Sequence, residues 1–165
     1  MSNRKTYFSI GSNLGDREQN LKTAVEMLAA NPRVTILRQS SVYETEPQDV
    51  AAQPWFLNIA VEAWTSLFPM QLLTFTQSVE RGMGRVRRLA KGPRIIDIDI
   101  LLYGAVVVRT PTLEIPHPAM TERRFVLEPL AEIVPGLRHP VTKKTVAEHL
   151  KAIQGQTVRR HVKNT

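Results

Sequence analysis

Apolar and polar positions change period several times along the chain, and each change marks a new element. Thr6 to Ile10 is compact and β-prone and reads as a first strand, closed by the loop Gly11-Ser12-Asn13-Leu14-Gly15-Asp16. Leu21, Val25, Leu28 and Ala29 then recur at helical spacing; Asp16 caps this helix with Gln19 three residues on, and Asn31-Pro32 ends it. A second strand is expected over about 34–43, and Phe56 to Thr65 alternates as a third. Pro69 suits the first turn of a second helix that turns Leu72, Phe75, Val79 and Met83 inward, with Gly82 and Gly84 at its end. An Ile/Leu-rich strand follows, and Tyr103-Gly104-Ala105 is expected to turn it into a hairpin with Val106 to Arg109. Arg123 to Ile133 reads as a helix with Phe125, Leu127, Leu130 and Ile133 inward, although it contains Pro129, and Thr145 to Ile153 as a final short one.

This β-α-β-β-α-β order with one extra hairpin strand predicts an α+β, ferredoxin-like fold: an antiparallel sheet with helices on one face. Residues 1–165 fit one domain, with a basic tail over about 155–165 expected to fray. The polar, proline-bearing stretch Glu44 to Pro54 reads as a loop and a candidate lid.

Composition narrows the class. Hydrophobic residues at 42% and charged residues at 22% are those of an ordinary globular chain. The excess of 22 Lys and Arg over 15 Asp and Glu, a formal +7, draws phosphates, nucleic acid or acidic membrane surfaces without choosing among them. With no cysteine, disulfides, thiolate catalysis and Cys-type zinc sites are excluded, which fits a reducing cytoplasm. The apolar stretch Tyr7 to Ile10 is too short for a secretory signal, and no run approaches a membrane span. A cytoplasmic location without membrane contact is therefore expected.

The chemistry concentrates in Gly-Pro-Arg-Ile-Ile-Asp-Ile-Asp-Ile-Leu-Leu-Tyr-Gly, residues 92–104. Strand alternation puts Asp97 and Asp99 on one face and Ile96, Ile98 and Ile100 on the other. Carboxylates in such a run need compensation by hydrogen bonds, arginine or metal, and oxygen ligands favour Mg²⁺ or Mn²⁺. A solvated Asp face, or a pair with Arg94, is an equal alternative on this motif alone. Upstream, Arg85, Arg87, Arg88, Lys91 and Arg94 add cations, and the combination suggests a metal-bound polyphosphate. There is no Walker A loop, so side-chain cations must hold the phosphates.

Four segments, GPRIIDIDILLYG, GSNLGD, the FLN triplet at Phe56 to Asn58 and PHPAMTERRFVLEPL from Pro116, together resemble the 6-hydroxymethyl-7,8-dihydropterin pyrophosphokinases of folate biosynthesis. The resemblance runs from about Ile10 to Ile133 and implies a ferredoxin-like enzyme. Its reaction would move the terminal diphosphate of ATP to the pterin hydroxymethyl oxygen, with AMP released and two Mg²⁺ ions held by Asp97 and Asp99. By motif match, Gln77, Glu80, Arg85, Arg87, Arg94, Ile100, His117 and Arg123 would line the ATP site, with Arg85 and Arg94 joining Asp97 and Asp99 in the catalytic set. Thr45, Pro47, Phe56, Asn58, Asp97 and Phe125 would form the pterin site, the two Phe residues sandwiching the ring and Asn58 reading its edge. Without the resemblance, His117 closing a turn, Gln77 and Glu80 as a solvated helix face, Arg123 paired with Glu122 or Glu128, and both Phe residues as core are the plainer readings.

The chain departs from the family pattern in two places. Ala90-Lys91 stands where some relatives carry an aromatic residue, and Gln48-Asp49-Val50 follows Thr45-Glu46-Pro47 where many have a glycine. Changed affinities rather than lost activity are expected. An RNA-recognition module is the main rival, but its aromatic signature is absent and the Asp pair would repel phosphate without metal. A glycosyltransferase using Asp-x-Asp ranks last for want of chain length. Small-molecule substrates, no nucleic-acid partner and a monomer or weak dimer are expected.

Overall fold

The computed structural model describes residues 3–46, 54–85 and 93–161. β1 (Arg4–Ser12) runs into α1 (Arg17–Ala29), whose start is fixed as the sequence predicts: the Asp16 carboxylate accepts from the Gln19 N–H at 3.1 Å. β2 (Val34–Gln39) and β3 (Tyr43–Thr45) replace the single expected strand. The chain breaks at Ser40, whose hydroxyl accepts from the Ala60 N–H at 2.9 Å and so takes over one ladder bond. β4 (Phe56–Thr65) and α2 (Pro69–Gly82) have the predicted bounds, with Pro69 at the first turn.

β5 (Asp97–Tyr103) carries the Asp pair. The expected hairpin after it does not form. Tyr103, Gly104 (φ +53°) and Val106 turn the chain away, and β6 (Val108–Arg109) pairs instead with β7 (Glu114–Ile115) in a small sheet of its own. α3 (Arg124–Ile133), α4 (Val146–Ala152) and β8 (Val158–Arg160) complete the chain, with Pro129 buried inside α3.

The main sheet has the order β5-β1-β4-β3-β8, with β2 also on β4, and every pairing is antiparallel. Strands β5, β1 and β4, followed by the β2/β3 position, reproduce the ferredoxin-like order. α1 and α2 cover one face, where Phe8, Ile10, Ile59, Val61, Ile98 and Ile100 meet Leu21, Leu28, Leu72 and Val79. The helices were expected on this face alone. α3 and α4 in fact pack on the other, where Tyr7, Ala60, Leu101 and Leu102 meet Met120, Val126, Leu127 and Leu130. Buried residues run without a break from Thr6 to Ser12 in β1 and from Leu57 to Ala63 in β4, so both faces must be covered there. A bulge helps, because the β1–β5 register shifts between Tyr7 and Phe8 and turns Leu101 as well as Leu102 to the α3 face.

Within the tail expected to fray, Val158–Arg160 instead forms an edge strand: β8 pairs with β3, and Arg159, Arg160 and His161 reach Glu44, Glu132 and Glu18, while residues 162–165 lie outside the described residues. Among the described residues no helix is long and apolar enough to cross a membrane.

One buried histidine outside the site carries a pH prediction. The His139 Nδ1 accepts from the Val141 and Thr142 N–H groups at 3.2 Å each. Burial, then the neighbouring His149, holds the His139 pKa below its ordinary 6.5. A lowered histidine pKa means that the unfolded chain binds the proton first, so this contribution is complete above about pH 6.5 and is lost as pH falls through that value. Unfolding in urea at pH 7.5 and 5.5 should show a loss at the lower pH that is smaller in His139→Gln; equal losses in both chains would contradict it.

Candidate active site

Alternation on β5 puts Asp97 and Asp99 on the α3 face while Ile98 and Ile100 fill the opposite core. Asp97 is the register partner of Gly11, and Gly11 is the partner of Asn58. The three therefore form a row across β5, β1 and β4, which sets Asn58 and Asp97 roughly 10 Å apart at the usual strand spacing. Gly11 is glycine for a spatial reason: a Cβ there would lie 2.6 Å from the Asn58 Oδ1.

Two arginines hold Asp97. Arg85, just beyond α2, donates from Nη1 to the Asp97 Oδ1 at 2.9 Å and, through the same nitrogen, to Glu80. Arg94 donates to the Asp97 Oδ2 at 3.2 Å. The Arg94 backbone is clamped in turn by Asn13, whose N–H donates to the Arg94 carbonyl at 3.0 Å and whose Oδ1 accepts from the Arg94 N–H at 2.7 Å. Glu80 is buried, accepts the Ile98 N–H at 2.8 Å, and is pushed above the usual carboxylate range, by burial first and by Asp97 as well. For Arg85 burial works against the charge, but Asp97 and Glu80 outweigh it and raise its pKa.

Asp99 is different. It is half-buried, and its carboxylate accepts no hydrogen bond from a described residue. Burial pushes its carboxyl up to about 7, Asp97 and Glu80 add to the rise, and Arg123 and Arg85 oppose it. A carboxylate short of compensation beside a second one is a donor set that suits a hard divalent cation. No group of three or more His, Cys, Asp or Glu converges as a metal cage among the described residues. A cation here would thus draw its remaining ligands from water and a bound phosphate chain, the usual arrangement for Mg²⁺.

On one side of the pair lies a cleft of about 460 Å³ lined by Leu73, Asp99, Ile100, Thr110 to Glu114 and His117. β5 is the sheet edge there, and the His117 N–H donates to the Leu101 carbonyl at 2.9 Å. Burial first, then Arg123, lowers the His117 pKa, while its Nδ1 accepts from the Ala119 N–H at 3.2 Å, so the neutral ring presents an Nε2–H donor. Gln77, Glu80, Arg81 and Arg85 border a second hollow of about 420 Å³ beside α2.

On the other side, the Asn58 Nδ2 donates to the buried Thr45 Oγ1 at 2.8 Å. Phe56 and Phe125 are each only half-buried, unlike core phenylalanines such as Phe8. Arg94 lies over Phe56 at 5.9 Å and Arg123 over Phe125 at 5.5 Å, so each ring has an arginine above its face.

Residues 7–135 match the family model described as 7,8-dihydro-6-hydroxymethylpterin-pyrophosphokinase (HPPK).

The chain belongs to this family.

It is 49% identical over 131 residues to the 2-amino-4-hydroxy-6-hydroxymethyldihydropteridine pyrophosphokinase of Bacillus subtilis, covering 79% of this chain and 78% of the relative. It is 42% identical over 156 residues to the protein of the same name in Methylorubrum extorquens, covering 94% and 98%. A solved HPPK-DHPS in complex with substrates superposes with a TM-score of 0.72 at 14% identity, over 92% of this chain and 43% of that one, which speaks for the fold alone. The chain likewise spans 21% of the folic acid synthesis protein fol1 of Schizosaccharomyces pombe, at 41% identity.

Of the HPPK residues expected from sequence, Asp97, Asp99, Arg85, Arg94, Gln77, Glu80, Ile100, His117, Arg123, Thr45, Phe56, Asn58 and Phe125 fall at or beside these cavities and contacts. Pro47 and Arg87 lie outside the described residues, as do Arg88, the Ala90-Lys91 and Gln48-Asp49-Val50 departures and the body of the candidate lid. Glu44 and Thr45, assigned to that loop, belong to β3. Sequence reasoning placed Gly11 and Asn13 in the GSNLGD motif but gave them no role, and it did not reach Leu73 or Thr110 to Leu113. A glycine inside an apolar strand was the available signal for the first.

Gly11→Ala should force Asn58 aside and destabilise the fold by about 1–3 kcal/mol. Urea unfolding checks the stability, and pterin affinity should fall more than ATP affinity; unchanged pterin binding would remove Gly11 from the site.

Proposed function

We propose that this chain, as an HPPK, transfers the terminal diphosphate of ATP to the hydroxymethyl oxygen of 6-hydroxymethyl-7,8-dihydropterin, within folate biosynthesis. The pterin oxygen attacks the β-phosphorus in line, the bond to the α-phosphate breaks, and AMP leaves. The observation that carries this reading is the position of Asp97 and Asp99 on β5, with a cleft of nucleotide size on one side and the row through Gly11 to Asn58 on the other.

Each described residue then has a task. His117 and Ile100 border the nucleotide cleft. Arg85 and Arg94, fixed by Glu80 and Asn13, present cations where charge develops on the transferring oxygens. Asn58, oriented by Thr45, offers its amide to the polar edge of the ring, and Phe56 and Phe125 supply its stacking faces. Asp97 and Asp99 would hold two Mg²⁺ ions, which when bound offset triphosphate charge and lower the pKa of the substrate hydroxyl. The working form in this reading is a monomer or weak dimer acting in the cytoplasm.

AMP release from ATP and Mg²⁺, quantified by chromatography with and without the pterin, tests the reaction directly: AMP should form only when the pterin is present. Asp97→Ala and Asp99→Ala should each lower turnover by about 10²-fold or more with the fold intact, as loss of a charge-stabilising group in a closed site does. Near-normal turnover in either variant would sink the metal assignment. Phe125→Ala should raise the pterin KM by about tenfold, the equivalent of roughly 1.4 kcal/mol of lost stacking, with the ATP KM little changed. Equal weakening of both substrates would contradict its role.

A further inference from the structure

The first turn of α3 carries Arg123 and Phe125, yet it lacks a cap of its own. Arg123 makes no side-chain bond to the helix start, and its carbonyl serves the N–H groups of Val126 and Leu127. The Phe125 N–H is one of the donors that every helix start leaves without an intrahelical partner. Its acceptor comes from 31 residues away: the Gln156 Oε1 at 3.4 Å.

Gln156 sits at a junction. The next residue, Thr157, donates its N–H to the Glu46 Oε1 at 3.4 Å, and Val158 then pairs with Thr45 as β8 begins. Three consecutive residues thus run from the helix that carries Phe125 to the strand that carries Thr45. Farther along, Arg159 donates to the Glu44 Oε1 at 2.7 Å and lies over Trp55 at 4.8 Å, while Arg160 reaches Glu132 of α3 at 3.2 Å. The segment ties α3, which carries Phe125, to β3, which carries Thr45, two residues assigned above to the pterin, and it lies beyond the residues that match the family model. The other end of the Gln156 amide reinforces the point: its Nε2 is buried and finds no acceptor among the described residues. Buried donors left unpaired cost free energy, and an apolar side chain would fill the same place without that cost.

We propose that Gln156 is a positioning residue for the pterin site, capping α3 from the C-terminal segment and fixing Phe125 relative to Thr45. The proposal rests on the pterin reading of Phe125 and Thr45. It requires the carboxamide oxygen and does not require Gln156 to touch the substrate.

Kinetics of the full chain with Gln156→Ala and Gln156→Glu test it, the latter keeping an oxygen acceptor at a helix start that favours negative charge. In Gln156→Ala the pterin KM should rise about three- to tenfold, while kcat, the ATP KM and the thermal midpoint stay close to those of the unsubstituted chain. Gln156→Glu should restore the pterin KM, and amide hydrogen exchange at Phe125 should quicken in the Ala variant only. A pterin KM within twofold of the original in Gln156→Ala overturns the proposal. So does a matched rise of both KM values with a lowered midpoint, the signature of a merely structural contact. Failure of the unsubstituted chain to release AMP with the pterin would instead remove the underlying reading, and the inference with it.

Discussion

The interaction on which the rest of the site depends is the compensation of two carboxylates that share one face of β5. An uncompensated buried carboxylate costs several kcal/mol, a large fraction of the stability of any domain this size. The fold answers half of the problem. Asp97 takes one arginine on each oxygen, and both arginines are anchored elsewhere, Arg85 by Glu80 and Arg94 by the double backbone clamp of Asn13. Asp99 takes none and keeps a raised pKa. An asymmetry of this kind is weak as a device for stability, since an apolar residue would cost less. It makes sense as a vacancy in charge to be filled from outside, and in the proposed reaction a cation and a polyphosphate fill it together, freeing the arginines for the phosphate oxygens.

How much of this was legible in the sequence depends on the reach of each interaction. The same-face pair, the Asp16 cap and the limits of β4 and α2 follow from period and spacing within a few residues, and they hold. The break between β2 and β3 turns on the Ser40 hydroxyl meeting an amide 20 residues away, and nothing local announces it. The second helical layer was legible in principle. Tyr7 and Ala60 interleave with apolar neighbours so that β1 and β4 carry no clear solvent face, the mark of strands covered on both sides.

The candidate site divides along the same line. Residues that touch substrate in the proposed reaction sit in motifs, so sequence could name them. Residues that aim them are joined over long separations: Asn13 to Arg94 across 81 positions, Glu44 to Arg159 across 115. Gly11 is an intermediate case, because its place in a strand is visible while the Asn58 oxygen that forbids a Cβ is not. The basic tail shows the cost of reading charge alone. Arg159, Arg160 and His161 look like a solvated end until Glu44, Glu132 and Glu18 are placed opposite them.

That tail also resolves a problem of sheet architecture. β3 is three residues long and would leave its outer backbone groups open if β4 were its only partner, and an open edge is a hazard that proteins close by adding a strand or a covering loop. β8 closes it. The surface ion pairs that accompany β8 contribute little individually, because exposed pairs are worth about 0–1 kcal/mol each. The backbone pairing must therefore carry most of the attachment. Once the last strand is held in this way, edge protection and the setting of Phe125 against Thr45 are consequences of the same few residues, and a change in one is felt in the other.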